Sequence, residues 1–347
     1  MIKRLVSKFF SDLNSKKIKY AILRNYESMP SRPRNRNYFD LDLIVSSKDL
    51  KKFHNLLIKN ILKDNKAILI KTFKRSYVHH YRIAKINGNK FDSIQIDVHV
   101  KGQGWWGFYY LFEDEILNKR RLFKRFYVVS DFHRNLFNWL DKLLWGELKK
   151  EYSKPIKKSM SKNISNLRNF LTKINLSKDD IKKLINIFSS KTLKTENTIY
   201  FRSKILFKII RWSSLKHPFE TIKWSTEFFF RELYLRIFPP GLFIICNKSI
   251  KKNIYLFNLL KRTAIMGQTS LILNFHNISK IKYIYYYFKF VWPIVRHHGL
   301  VVCVSNNNFF GVKKIKRKKL SKSNLIKKIL IEYKKTNYVG FPNLIIN

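Results

Sequence analysis

Two aspartates, Asp40 and Asp42, are separated by one residue inside the segment Asn37–Val45, which reads NYFDLDLIV. The apolar residues around them predict a strand that enters a hydrophobic core. Alternate residues of a strand project from the same face, so the two carboxylates should lie side by side. Like charges on a half-buried strand repel each other unless a cation lies between them. Mg²⁺ is the cation that we expect, because it prefers oxygen ligands and commonly combines one or two carboxylates with substrate phosphates.

A third aspartate, Asp97, comes from a second predicted strand, Phe91–Val100. Apolar and polar residues alternate along this strand, so Asp97 shares its face with Gln95 and His99. If the two strands are neighbours, three carboxylates converge on one point. The sequence therefore predicts a metal site formed by Asp40, Asp42 and Asp97.

The elements that must position these strands follow from the spacing of apolar residues. This spacing predicts helices over residues 2–16, 47–62 and 130–152, and strands over residues 19–23, 67–73 and 77–86. Asn87, Gly88 and Asn89 predict a hairpin turn, because Asn and Gly accept the positive φ that such a turn needs. The N-terminal part of the chain is thus predicted to be an α+β unit.

The order of these motifs resembles the nucleotidyltransferase superfamily, which has the polymerase-β-like fold. A strand leads to the loop Leu23–Glu27 (LRNYE), a polar hairpin, the Asp-x-Asp strand, a helix and a strand with one aspartate. The segment of about residues 15–155 is most similar to nucleotidyltransferase-like proteins of bacterial surface-polysaccharide clusters. The resemblance implies Mg²⁺-dependent transfer of a nucleotidyl group from a nucleoside triphosphate to a hydroxyl of a sugar or glycan acceptor.

The same resemblance implies roles for individual residues. Asp40 and Asp42 would hold Mg²⁺ on the triphosphate. Asp97 would complete the metal cluster and act as the general base toward the acceptor hydroxyl. Arg24 and Asn25 would contact phosphate.

One departure from the superfamily pattern affects catalysis. Its members usually carry a Gly-Ser or Gly-Gly pair just after the first strand, whereas this chain has Leu23, Arg24 and Asn25 there. Glycine lets the backbone approach phosphate closely, and these side chains do not. The alternative is therefore a catalytically inactive scaffold that binds nucleotide or a polyanion.

The C-terminal region, about residues 236–312, resembles a thymidylate-kinase-like P-loop domain. A predicted strand follows Pro239, Pro240 and Gly241, and Lys252 then falls where the P-loop lysine would contact nucleotide. The two loop glycines are replaced by Cys246 and Lys251, and the acidic motif of the family reads Ser305-Asn306-Asn307. Because a phosphate-binding loop needs glycine to wrap tightly, we expect a degenerate domain that phosphorylates nothing. The basic run Lys313–Lys319 is expected to lie outside the folded elements, as a solvated or polyanion-binding segment.

These patterns predict an α/β protein with three parts. An α+β nucleotidyltransferase-like domain would cover residues 1–153, a basic helical connector residues 154–235, and a small P-loop-like α/β domain with a basic tail residues 236–347. Within the connector, helical spacing covers residues 164–174, 178–189 and 221–237.

The net charge of the 347-residue chain is +49, from 71 lysines and arginines against 22 aspartates and glutamates. Such a field attracts polyanions, including nucleotides, nucleic acid and an anionic membrane surface. The abundance of Lys together with Asn, Ile, Phe and Tyr is also typical of AT-rich coding sequence, which is a competing explanation. An RNA-binding function would rest on charge alone.

Two cysteines, Cys246 and Cys303, provide no disulfide framework and no zinc spacing. The basic N-terminus lacks the long apolar core of a signal peptide, and the chain has no run of 18 uncharged apolar residues. We therefore expect a cytoplasmic protein, either free or peripheral at the inner face of the membrane.

Overall fold

The computed structural model describes residues 2–31, 39–63, 67–74, 77–87, 90–146, 150–192, 194–237, 242–246, 270–274, 279–296, 300–304, 313–315, 324–325, 327, 329–331 and 343–346. In these residues the chain has an α/β fold, as the sequence predicts. A seven-stranded mixed sheet is built from the N-terminal part, and a five-stranded parallel sheet from the C-terminal part.

The seven-stranded sheet has the order β3-β4-β5-β2-β1-β9-β8. Its strands are β1 (Tyr20–Ile22), β2 (Phe39–Val45), β3 (Ala67–Lys74), β4 (Val78–Asn87), β5 (Lys90–Val100), β8 (Arg121–Phe123) and β9 (Phe126–Val128). The central strands β2 and β5 are parallel, which places the two aspartate-bearing strands side by side. The sequence predicted the first five of these strands but not β8 or β9.

One face of this sheet is covered by α1 (Ile2–Ser15) and α2 (Leu50–Lys63). Both helices bury an apolar stripe, which includes Phe10 and Phe53, against alternate residues of the central strands, such as Leu41 and Ile96. Alternation then turns the neighbouring residues Asp40, Asp42 and Asp97 toward the opposite face.

The opposite face packs against the remaining helices of the N-terminal part. They are α3 (Glu113–Asn118), α4 (Asp131–Trp145), α5 (Lys150–Lys162), α6 (Ile164–Lys173), α7 (Lys178–Ser189), a 3₁₀ helix (Thr195–Phe201), α8 (Arg202–Lys216) and α9 (Pro218–Ile237). A short hairpin of β6 (Gly102–Trp105) and β7 (Phe108–Phe112) leads into them. Ser130 and Ser177 begin α4 and α7 as N-caps, each accepting a hydrogen bond from the backbone three residues later.

A single hydrophobic core joins these helices to the sheet. It contains Ala21 and Ile44 from the strands together with Leu136, Met160 and Leu184 from α4, α5 and α7. The core therefore runs across residue 153, where the sequence analysis divided the N-terminal domain from the connector. That division stays a prediction, while the predicted helices at 164–174 and 178–189 are confirmed.

The C-terminal sheet consists of β10 (Leu242–Cys246), β11 (Ser270–Asn274), β12 (Leu300–Val304), β13 (Lys313–Ile315) and β14 (Asn343–Ile346), in the order β11-β12-β10-β14-β13. All four pairings are parallel. A further helical segment runs from Lys280–Tyr286 through a π-helical turn to Trp292–Arg296. The P-loop-like assignment stays a prediction, because Lys252 and residues 305–307 lie outside the described residues.

The expectation that the basic run from Lys313 lies outside the fold is wrong for its first three residues. Lys313–Ile315 forms β13, which pairs with β14 at one edge of the sheet. Backbone hydrogen bonds hold an edge strand regardless of its side chains, and lysine on an edge discourages pairing with other chains.

No helix in the described part of the chain has both the length and the apolar character that a membrane span requires.

Candidate metal and nucleotide site

Three carboxylates meet on the face of the large sheet that is opposite to α1 and α2. Asp40 and Asp42 lie two residues apart on β2, and the parallel register places Asp42 directly opposite Asp97 on β5. One carboxylate oxygen from each of the three side chains lies within 4.8 Å of the other two. Asp40 is 8% exposed and Asp42 is 3% exposed. The convergence predicted from the alternation of both strands is therefore present in the structure.

Arg24 lies against this cluster at the end of β1. Its Nε donates to Asp42 Oδ2 at 2.6 Å, and its Nη2 lies 3.4 Å from Asp42 Oδ1. The guanidinium also stacks over the ring of Phe137 on α4, 5.4 Å from its centroid. The nearby negative charge of Asp42 raises the pKa of Arg24 against the opposing effect of its partial burial, so the arginine stays cationic. One cation thus compensates a carboxylate that is almost fully buried.

Asp97 is held by neutral and basic side chains from β4 and β5. His80 Nδ1 lies 2.8 Å from Asp97 Oδ1, and Gln95 Nε2 donates to Asp97 Oδ2 at 2.7 Å. Arg82 in turn donates to Gln95 Oε1. Burial alone would raise the pKa of Asp97, but the charge and hydrogen bond of His80, helped by Arg82 and Gln95, outweigh it and hold this pKa below its usual value. Asp97 is therefore ionised at neutral pH.

His99 lies two residues after Asp97 on β5, and its side chain projects from the same face. Burial lowers the pKa of its imidazole to about 4, although Asp42 and Asp97 act in the opposite direction. Its ring meets the edge of Phe137, with the centroids 6.5 Å apart. The imidazole is thus neutral at pH 7, and it adds no positive charge to the cluster.

Asn25 follows Arg24 with a φ of +62°, in the left-handed region. Asparagine and glycine are the residues that enter this region most easily. The backbone conformation that glycine would supply after the first strand is therefore retained here by asparagine. Its side-chain Nδ2 is buried, and it finds no hydrogen-bond acceptor in the described part of the chain. This donor is available to a ligand oxygen.

The three carboxylates fit a hard divalent cation. Mg²⁺ binds oxygen ligands at about 2.1 Å, so two ligands on opposite sides of one ion are about 4.2 Å apart. The 4.8 Å limit within the cluster is close to this span. Clustered, buried carboxylate oxygens are the donor set that Mg²⁺ prefers over softer metals.

The structure brings together four of the six predicted site residues. Arg24, Asp40, Asp42 and Asp97 lie in one cluster, and Asn25 follows Arg24 in the chain. Lys252 lies outside the described residues.

His80, which contacts Asp97, was not among the residues predicted for this site. The position of the predicted hairpin turn would have been enough to place His80 opposite Asp97. Asn87 pairs with Lys90, and antiparallel pairing outward from there brings His80 opposite Asp97 and Arg82 opposite Gln95.

No protein-family model matches this chain, and no curated protein matches its sequence. Two solved structures from Helicobacter pylori are similar to it. JHP933 is 13% identical with a TM-score of 0.30, over 67% of this chain and 94% of that chain. A structure described as a "putative nucleotidyltransferase" is 13% identical with a TM-score of 0.28, over 62% of this chain and 92% of that chain. Likeness at this level carries no argument, so the functional interpretation rests on the geometry of the site.

Proposed function

We propose that this chain binds a nucleoside triphosphate with Mg²⁺ at Asp40, Asp42 and Asp97 and transfers a nucleotidyl group to a hydroxyl acceptor. The observation that carries the proposal is the cluster itself, in which three carboxylates from two paired strands lie within 4.8 Å of one another. A fold tolerates such concentrated negative charge in its interior only when cations balance it.

When bound, Mg²⁺ would neutralise charge on the transferred phosphoryl group. Asp40, Asp42 and Asp97 would hold the ion, and the buried Nδ2 of Asn25 would donate to a phosphate oxygen. Arg24 would bind phosphate after exchanging its contact with Asp42 for one with the substrate. His80 and Gln95 would keep the Asp97 carboxylate in place through their hydrogen bonds.

Asp97 as general base is a finer proposal within the same mechanism. Both of its oxygens already accept hydrogen bonds in the structure, from His80 and Gln95. Each carboxylate oxygen has a second lone pair, so an acceptor hydroxyl would have to approach Asp97 beside one of these two partners. Its lowered pKa also makes it a weaker base than an ordinary aspartate.

The wider setting of the reaction follows from the sequence resemblance. We propose a sugar or glycan-related acceptor in surface-polysaccharide metabolism and a cytoplasmic location. The C-terminal sheet would belong to a degenerate P-loop-like domain, with Lys252 as its nucleotide contact.

A catalytically inactive scaffold is the second candidate, and one observation favours it. Arg24 already pairs with Asp42, and His80 already bonds to Asp97, so side chains of the protein balance the carboxylates without a metal. In that case the cluster would be a structural network, and nucleotide or polyanion binding would depend on the excess of basic residues elsewhere.

Thermal unfolding in the presence of nucleoside triphosphates, with and without Mg²⁺, separates the two candidates. A ligand at 100 times its dissociation constant should stabilise the protein by about 2.7 kcal/mol. We would compare the wild type with Asp40→Asn and Asp42→Asn, and use Asp179→Asn as the matched control, because Asp179 is exposed on α7 away from the site.

A stabilisation that needs Mg²⁺ and is lost in Asp40→Asn and Asp42→Asn but not in Asp179→Asn would support the proposed site. Release of pyrophosphate by the wild type and not by Asp42→Asn would then support catalysis. A stabilisation that persists in both site variants without Mg²⁺ would favour the scaffold. The absence of stabilisation by any nucleotide would refute nucleotide binding at the cluster.

A further inference from the structure

Two consecutive helices, α8 and α9, expose large apolar side chains to solvent. Each helix also buries a stripe toward the core, including Ile205 and Ile209 of α8 and Trp224 of α9. The exposed apolar residues lie on the other side of each helix, and they are most concentrated around the turn at His217. We call this region the corner surface, and it consists of Arg211, Leu215, Lys216, Phe219, Ile222 and Lys223.

The exposure of the corner surface is large. Phe219 is 84% exposed, Leu215 is 70% exposed and Ile222 is 66% exposed. Phe229 and Phe230, both 61% exposed, continue the apolar surface along α9. Single exposed apolar residues need no explanation, but a contiguous group of this kind marks a binding surface.

Hydrogen bonds at the turn fix which side of each helix faces outward. The hydroxyls of Ser213 and Thr221 lie 2.8 Å apart, and Thr221 Oγ1 donates to the Ser213 carbonyl at 3.1 Å. The backbone N–H of Tyr109 on β7 donates to Ser213 Oγ at 3.0 Å. Because Ser213 and Thr221 are held against the sheet side, Leu215 and Phe219 must project away from it.

The same surface is positively charged. Arg211, Lys216 and Lys223 are exposed, and none of them has a carboxylate partner in the described ranges. The nearby Glu220 lies 3.6 Å from Lys101, which offsets its charge. The net charge of the whole chain, which includes these cations, is +49. An apolar surface with interspersed uncompensated cations is complementary to a surface that is anionic outside and apolar beneath.

We propose that the corner surface docks this chain on a membrane of anionic phospholipids. A helix with aromatic and aliphatic side chains beside lysine and arginine lies in the plane of the interface, with its apolar side chains among the acyl chains and its cations at the headgroups. Each lysine or arginine near an anionic surface strengthens binding about fivefold. The exposed aliphatic stems of Lys216 and Lys223 can extend toward the headgroups while their side chains cover apolar surface.

Other partners explain this surface less well. The buried centre of a protein interface is depleted in lysine, whereas Lys216 and Lys223 flank the most exposed apolar residues directly. Nucleic acid would use the cations and could stack on Phe219, but it offers nothing to Leu215 and Ile222, whose burial needs an apolar phase.

Co-sedimentation of the full chain with vesicles tests the proposal. Vesicles that contain phosphatidylglycerol would be compared with vesicles of phosphatidylcholine alone. Phe219→Ser/Ile222→Ser removes the apolar contribution, and Lys216→Gln/Lys223→Gln removes two charges. Leu122→Ser is the matched control, because Leu122 is 61% exposed on β8 and lies outside the corner surface.

We expect binding only to the anionic vesicles, weakened at high salt. The serine variant should lose at least about tenfold in affinity and the glutamine variant roughly thirtyfold, while Leu122→Ser should bind as the wild type does. Unchanged circular dichroism and unfolding temperature would show that the variants fold.

Three outcomes would overturn the proposal. Equal binding to both kinds of vesicle would remove the role of charge, and equal losses in Leu122→Ser would remove the role of this surface. If light scattering shows wild-type self-association that Phe219→Ser/Ile222→Ser abolishes, without vesicle binding, the surface is an interface between copies of the chain.

Discussion

The ion pair between Arg24 and Asp42 gives a quantitative test of how the carboxylate cluster is balanced. Replacing Arg24 by Gln leaves Asp42 nearly fully buried beside Asp40 and Asp97, with its principal cation removed. Breaking a buried ion pair by removing one partner costs about 3–5 kcal/mol. Because 33% of the Arg24 side chain is exposed, water screens part of the interaction, and we expect a loss of about 2–3 kcal/mol.

Substitution of the other partner, Asp42, should destabilise the protein much less. Asp42→Asn removes one of three mutually repelling carboxylates, and it leaves Arg24 with access to solvent. In the double variant Arg24→Gln/Asp42→Asn, the free energy of unfolding should therefore lie close to that of Asp42→Asn alone. This asymmetry corresponds to a coupling energy of about 2 kcal/mol in a double-mutant cycle.

Urea unfolding followed by tryptophan fluorescence measures these differences, because Trp139 is fully buried in the core that contacts the site. Arg121→Gln is the matched control. Arg121 pairs with Asp131 at 3.0 Å, but both side chains are largely exposed, so its loss should cost less than about 1 kcal/mol. Added Mg²⁺ should stabilise Arg24→Gln more than the wild type, because the guanidinium no longer competes with the ion for Asp42.

A loss in Arg24→Gln no larger than that in Arg121→Gln would refute the reasoning. So would a double variant whose destabilisation equals the sum of the two single losses within about 0.5 kcal/mol. Either result would mean that the cluster is balanced by other groups.

Two further predictions concern the stability of the fold. Burial lowers the pKa of His133 to about 4, so between pH 6.5 and 4 the unfolded chain binds a proton at this residue that the folded chain does not bind. The free energy of unfolding should therefore fall by up to about 3 kcal/mol over this range. Urea unfolding should show a smaller fall in His133→Gln, and parallel pH curves for the two proteins would contradict the prediction. Gly107 has a φ of +91°, and a Cβ there would lie 2.5 Å from the backbone N of Ser225, so Gly107→Ala should lower the free energy of unfolding by about 2 kcal/mol or more. Gly146→Ala is its control, because its Cβ would meet only the Arg202 side chain at 3.2 Å; equal losses in a thermal scan would show that the positive φ alone, and not the contact with α9, decides the effect.

The carboxylate cluster was predictable because Asp40 and Asp42 alternate with apolar residues at the start of β2, and because apolar and polar residues alternate over Ile94–Val100 of β5. That alternation gives the face to which Asp40, Asp42 and Asp97 belong, but it does not give the order of strands in the sheet. The pairing of Asp42 with Asp97 depends on β2 and β5 being parallel neighbours, which tertiary packing decides. The same holds for the contact of Arg24 with Asp42.

Helix α8 was not predicted from the sequence, for a different reason. Its apolar residues occur on both sides, since Ile205 and Ile209 are buried while Phe207 and Leu215 are exposed. A helix is recognised from sequence by one apolar stripe, so two opposed stripes conceal the period. The hairpin β6–β7 and the short strands β8 and β9 escaped prediction because their few residues show neither a regular alternation nor a continuous aliphatic run.

The position of β14 in the C-terminal sheet has a consequence for folding. β14 lies between β10 and β13, and Phe243 of β10 pairs with Asn343, one hundred residues later in the chain. Until β14 is synthesised, one edge of β10 stays unpaired, and its sequence LFIIC is the kind of apolar edge that recruits other chains. Closing so long a loop between parallel strands is also slow. We therefore expect nascent chains that lack residues 343–346 to be the aggregation-prone species, which makes the rate of completing the chain a determinant of its yield.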